Sequence, residues 1–220
     1  MREKKDNRKK ERVHSKTRRP KKTIKGLKED MLTNTTLAMI VKNEMNTFGG
    51  GIQSFVSSQF PFVEKIVIVD TGSTDGTKEY LESLKTEFQN LEVHSRAFDD
   101  FASSRNHALS KVKTSRVLIL DADERLSPEE YEYISQEVKD NPHQGYLFSV
   151  DNILKNGEIQ EYLGPLNPRL FTLIKGVKFV NTMSRCAEEL EYNGKRFSQA
   201  FKLYSIGTTI QHFYTPKKYP

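Results

Sequence analysis

Two carboxylates one residue apart, Asp121-Ala122-Asp123, directly follow the apolar run RVLIL at 116–120. If the backbone bends after that run, both side chains can reach one cleft. Hard oxygen ligands at this spacing suit magnesium or manganese held together with substrate phosphates. Such a cation would take up charge on a departing diphosphate. Alone the tripeptide is a weak signal, since Asp-x-Asp also occurs on solvated loops. Two further polar clusters sit in the same relation to apolar runs. Lys42-Asn43-Glu44 follows TLAMIV at 36–41, and Asp70-Thr71-Gly72 follows KIVIV at 65–69.

The elements around these clusters explain why they belong together. The runs at 36–41, 65–69, 91–95 and 116–120 read as strands. Helical stretches alternate with them at 52–56, 75–88 and 100–111. In the second, Tyr80, Leu81, Leu84 and Phe88 recur at helical spacing, and Ser73 or Thr74 can cap it. Pro61 helps to close the first. Four strand–helix alternations imply an α/β fold with a Rossmann-like, mostly parallel sheet and helices on both faces. In such sheets ligands bind beyond the carboxyl ends of the strands. That rule alone puts the three clusters on one edge of one sheet. Beyond Ser127-Pro128 a helix of about twelve residues is expected. From Gly145 the pattern becomes a smaller α+β region. Its strands are expected at 145–153, 157–163 (joined by a turn at Asn156-Gly157), 169–174, 177–180 and 206–213. No internal repeat is visible.

Charge divides the chain unevenly. Residues 1–30 hold 14 Lys/Arg and 5 Asp/Glu; from totals of 35 and 29, that leaves 21 basic and 24 acidic residues for the rest. The net +6 therefore belongs to the N-terminal segment. Residues 1–33 read as a basic, disordered tail and 34–220 as the folded domain, with order beginning near Thr35. The slightly acidic body argues against a specific nucleic-acid partner. The tail suits an anionic membrane surface or RNA, or is a solvated extension without a partner. It lacks the apolar centre of a signal peptide, and no run approaches a transmembrane length. Cys186, the only cysteine, excludes an intrachain disulfide and reads as structural. A cytoplasmic location, with peripheral contact at the inner face of the membrane as a variant, is the expectation.

Competing chemistries fit less well. A haloacid-dehalogenase-type phosphatase wants Thr or Val where Glu124 stands, and its aspartates follow the first strand. A dinucleotide fold wants Gly-x-Gly-x-x-Gly after the first strand, but Gly72 and Gly76 follow the second at another spacing. Nucleotidyl transfer would want a glycine-rich, basic triphosphate loop there.

The segments MIVKNE (39–44), IVIVDTGSTDGT (66–77), FDDFASSRNHAL (98–109) and LILDADERL (118–126) together resemble family 2 glycosyltransferases. The similarity is to bacterial enzymes that act on lipopolysaccharide cores, cell-surface glycans or peptides. It implies a GT-A fold, a nucleotide-sugar donor (often a UDP-sugar), Mg or Mn, and inversion at the anomeric carbon. It implies a hexosyltransferase-like activity on a glycan, lipid-linked or peptide acceptor. Carried over by position, it puts Val41, Asn43 and Glu44 beside the nucleotide and Asp70 at the base or ribose. Arg105 would reach the nucleotide or diphosphate, Asp121 the ribose or metal-bound water, and Asp123 the metal. Asp70 and Thr71 could equally form a turn, and Arg105 could pair with Asp99 or Asp100. The segments NPRLF (167–171) and IQHF (210–213) extend the resemblance, the latter implying a metal or diphosphate contact for His212. A lone strand histidine reads equally as structural.

The chain also departs from that pattern. Where relatives carry Gly-x-Val-His-Glu, this sequence reads GVKFVNTMSRCAEEL. The general base that inversion needs is then to be sought among Glu188, Glu189 and Glu124. MNTFGGG at 45–51 interrupts the first helix and reads as a flexible loop near the donor. These departures motivate an alternative: a catalytically inactive GT-A-like binding or scaffold protein.

Overall fold

Alternation of apolar side chains decides how each central strand is covered. The computed structural model describes residues 31–162, 167–182 and 188–215. The basic residues 1–30 and Cys186 lie outside them. Strand β1 (Leu32–Val41) sends Leu37, Met39 and Val41 to one face and Ala38 to the other. After it come α1 (Gly51–Gln59) and β2 (Val63–Asp70), which divides Ile66 and Ile68 from Val67 and Val69 in the same way. Then follow α2 (Thr77–Ser83), β3 (Leu91–Ser95), α3 (Phe101–Leu109) and β4 (Arg116–Ile119). Each fully buried Leu, Ile or Val contributes about 1.5–3 kcal/mol, so this two-sided burial fixes the sheet's position.

Beyond β4 lie β5 (Glu124–Arg125), α4 (Pro128–Asp140), β6 (Gly145–Ile153), β7 (Ile159–Glu161), β8 (Leu170–Thr172) and β9 (Val177–Asn181). The chain continues through β10 (Glu188–Tyr192), β11 (Lys195–Arg196), α5 (Phe197–Ala200) and β12 (Tyr204–Phe213). Helix α4 starts as its Ser-Pro signal requires. Ser127 Oγ accepts from the Glu130 amide at 3.3 Å, and Glu130 accepts from the Ser127 amide at 3.0 Å.

The main sheet runs β3-β2-β1-β4-β8-β6-β12-β5, with β7 added to β6. Its first four strands are mutually parallel, as the alternation requires. Antiparallel pairs then bring in β8 and β6, and β12 lies parallel to β6. Side chains from α1, α2 and α4 cover one face. The other is covered by α3, α5 and a small sheet ordered β11-β10-β9. Strands β1, β2 and β3 step outward one way, whereas β4 returns to the other side of β1. The switch point therefore lies between β1 and β4, where the rule for open sheets puts ligands.

Several boundaries differ from the sequence reading. Order starts at or before Leu32, because β1 pairs Leu32 with Val63 ahead of Thr35. The expected helix over 75–88 divides into α2 and a 3-10 turn at Leu84–Thr86. Neither Ser73 nor Thr74 caps it. Asp75 accepts from the Thr77 amide at 3.0 Å, and Ser73 and Thr74 face Asn43 instead. Of the strand expected at 157–163, whose last residue lies outside the described residues, β7 covers Ile159–Glu161, and the last strand begins at Tyr204.

Candidate active site

One lip of the cleft is made by the turns after β1 and β2. Val41 is buried at the end of β1, and its carbonyl accepts from the Thr71 amide at 2.9 Å and the Thr71 hydroxyl at 3.0 Å. Asn43 has φ 59°, a left-handed conformation that asparagine tolerates. Its amide donates to Ser73 Oγ at 2.9 Å, and its Oδ1 accepts from the Thr74 amide at 2.7 Å. The Glu44 amide donates to Thr77 Oγ1 at 2.8 Å and the Met45 amide to Asp75 at 3.0 Å. Buried Asp70 folds its carboxylate back onto the Gly72 and Ser73 amides at 3.2 Å. Burial pushes the Glu44 carboxyl up to about 7, with the charges of Asp123, Asp121 and Asp75 adding to it.

The opposite lip consists of charged side chains from many elements. Arg105, buried on α3, donates through Nη2 to Asp121 at 3.0 and 3.2 Å and through Nε to Glu188 of β10. Its Nη1 has no hydrogen-bond partner among the described residues. Neither carboxylate considered as a structural partner takes Arg105. Asp99 pairs with Arg96 at 2.5 Å, and Asp100 caps α3 through the Ser103 amide at 2.7 Å. Burial disfavours charge on Asp121, but Arg105 and Arg169 outweigh it and hold the carboxyl below its ordinary range. Glu124, 3% exposed, is gripped by Arg169 through both oxygens at 3.0 and 2.5 Å. It also accepts from the Asp121 amide at 3.0 Å, which shapes the bend that the two aspartates need. Burial raises the Glu124 carboxyl despite the charge of Arg169.

Asp123 faces the C-terminal strand. Its Oδ2 lies 3.3 Å from His212 Nε2, and its carbonyl accepts from the Phe213 amide at 2.8 Å. The other ring nitrogen, Nδ1, lies 2.8 Å from Asn152 Oδ1 on β6. Burial opposes a charge on His212, but Asp123, with Glu124 and Asp121, raises the imidazole above its ordinary value. A histidine fixed through one nitrogen, with the other facing a carboxylate, is the donor pair that a divalent cation can take. Among the described residues no group of three or more His, Cys, Asp or Glu side chains is assembled for a metal. The pair fits a cation whose remaining ligands come from a diphosphate and water, the usual habit of magnesium.

Arg105, Asp121, Glu124, Glu188, Asp123 and His212 thus gather on one lip, while Val41, Asn43, Glu44 and Asp70 form the other. Glu189 stands apart, since it alternates with Glu188 along β10 and pairs with Arg196 at 3.1 Å. Sequence reasoning missed Arg169, Asn152 and Arg125. Arg169 lay within the quoted NPRLF segment, but nothing local linked it to Glu124, 45 positions away.

The profile of Glycosyl transferase family 2 matches residues 36–192, well over half of the chain. The chain belongs to that family. A TPR repeat-containing protein of Synechococcus elongatus is 33% identical over 95 residues, which cover 43% of this chain and 22% of the relative. Among solved structures, S. aureus TarS 1-349 aligns with a TM-score of 0.50 and 19% identity over 63% of this chain and 46% of its own. GalNAc-T7, solved with UDP, GalNAc and Mn2+, aligns with a TM-score of 0.56 and 12% identity over 84% of this chain and 44% of its own. The chain therefore spans less than half the length of any of the three. At these identities the structural likeness establishes the fold, which is GT-A. No helix among the described residues is long and apolar enough to cross a membrane.

Proposed function

We propose that this domain transfers a sugar from a nucleotide-diphosphate donor to an acceptor hydroxyl, with inversion and with a divalent cation. The observation that carries the reading is the facing pair Asp123 and His212 at the switch-point end of the sheet. Asp123 and His212 would hold Mg or Mn, which when bound would neutralise charge on the departing diphosphate. The lip formed by Val41, Asn43, Glu44 and Asp70 would receive the nucleoside, and Arg105 and Asp121 its ribose or diphosphate. The acceptor oxygen forms a bond to the anomeric carbon as the bond from that carbon to the diphosphate breaks. The hydroxyl proton passes to a carboxylate. Of the three candidates, Glu188 is the one joined through Arg105 to the Asp121 side of the cleft, and we assign it the base. Glu124 has both oxygens on Arg169 and one of them also on the Asp121 amide, whereas Arg105 takes only Oε1 of Glu188; Glu189 sits on the other side of its strand.

The fold relative solved with UDP, GalNAc and Mn2+ makes UDP-sugars and manganese the first to try. The acceptor would be a glycan, a lipid-linked sugar or a peptide, met in the cytoplasm. Residues 1–30 would add contact with anionic lipid, to be tested by co-sedimentation with phosphatidylserine vesicles. Release of UDP from UDP-sugars with manganese, lost in Asp123→Asn, is the expected result. Release that is independent of metal and unchanged in the variant would refute the assignment. One observation favours a second reading, a binding protein of the same shape without turnover. Glu124, Glu188 and Glu189 are all engaged by arginines. Donor binding without transfer or hydrolysis would select it.

A further inference from the structure

Arg125 is 6% exposed, and among the described residues it donates to no carboxylate, although the charges of Asp123 and Glu44 act on it. Its four hydrogen bonds among the described residues all end on main-chain carbonyls. Nη1 donates to Ala122 at 2.7 Å and Glu124 at 2.8 Å, and Nη2 donates to Gly51 at 3.0 Å and Gly49 at 3.4 Å. The guanidinium carbon lies 5.0 Å from the centre of the Phe55 ring and 5.7 Å from that of Phe213. A planar, weakly hydrated cation with donors on two edges can do this; a lysine ammonium lacks that geometry. One edge thus holds the turn that carries Asp121 and Asp123. The other holds the glycine loop that the sequence suggested would be flexible.

Both ends of this bridge reach the candidate site. Next to Gly51, the Ile52 amide donates to the Glu44 carbonyl at 2.8 Å, which fixes the end of β1. Phe213, packed on Arg125, donates its amide to the Asp123 carbonyl. The glycines are what permit the approach. A Cβ at Gly51 would lie 2.3 Å from the Glu44 carbonyl oxygen, and one at Gly49 would lie 2.4 Å from the Phe213 ring. Loop, arginine and phenylalanine are packed as one unit between the two lips.

We propose that Arg125 is a positioning residue that locks the glycine loop to the Asp121–Asp123 turn and so fixes the spacing of the two lips. Its consequence for a donor rests on reading the cleft as a nucleotide-sugar site. The structural claim does not, so the test has two readouts. Arg125→Met keeps much of the side chain's length and removes all four hydrogen bonds. In that variant the Ile52 and Phe213 amides should exchange with solvent faster together, by roughly tenfold or more. The Kd for UDP in the presence of manganese should rise by roughly 10–100-fold, as when a supporting partner of a metal site is lost. Arg125→Lys should recover part of both. If Arg125→Met does not fold, Phe213→Leu, which leaves the four hydrogen bonds in place, should show smaller changes of the same kind. A folded Arg125→Met, or in its place Phe213→Leu, with wild-type exchange at both amides would overturn the lock. Faster exchange with unchanged affinity, in a protein that binds UDP, would overturn its role in donor binding. If the wild type binds no nucleotide, the donor reading fails and the exchange result alone decides the lock.

Discussion

The two lips of the cleft are built on opposite plans. The β1–β2 lip is local: amides of Asn43, Glu44, Met45 and Thr74 meet side chains from two short turns. The β4–β12 lip is assembled from distant positions: Arg105, the turn holding Asp121 and Glu124, Arg169, Glu188 and His212 come from separate stretches of the chain. In the first, losing a side chain strands an amide that water can reach. In the second, at Arg105 or Glu124, it strands a buried charge. The lips should therefore differ in how much damage one substitution does.

The largest effect is expected at the buried pair. Arg169→Met leaves Glu124 without its counter-charge and should cost about 3–5 kcal/mol in urea unfolding. Adding Glu124→Gln to it should recover much of that loss. A loss below about 1 kcal/mol would make this lip no more demanding than the other. Next comes the support behind the metal pair. Asn152→Ala should weaken manganese-dependent UDP binding by roughly 10–100-fold and leave the fold intact. Unchanged affinity would separate His212 from the metal. On the local lip, Asp75→Ala removes the acceptor for the Thr77 and Met45 amides and should cost only about 1 kcal/mol, comparable to a lost helix cap.

The last effect is a slope with pH rather than a loss at one pH. Glu44 has its folded pKa raised from 4.5 to about 7, so between those values the native state holds more protons than the unfolded chain. Stability of the metal-free protein should fall as pH rises through that window and level off above it. Glu44→Gln should flatten the dependence in urea titrations at several pH values. An identical slope in the variant would place the titrating group elsewhere.

The same contrast explains what could be read in the sequence. Strand runs ending in Glu44, Asp70 and Asp121 are local signals, and the open-sheet rule then put them at one edge. His212 and Asp123 were each singled out, although their meeting depends on β12 returning beside β5. The partnership of Glu124 with Arg169, and of Arg105 with Glu188, left no local trace. It exists only because antiparallel β8 lies beside β4 and because the small sheet packs on α3. The glycine loop shows the same limit. Glycine permits many conformations, and what selects one here is a buried arginine 74 positions later.

The most direct test is calorimetric titration of the protein with UDP, with and without manganese, alongside Asp123→Asn of equal thermal stability. The account predicts binding that requires manganese in the wild type and is lost in the variant. Equal UDP binding by both proteins, indifferent to manganese, would contradict the assignment of Asp123 and His212 as the place where metal and diphosphate meet.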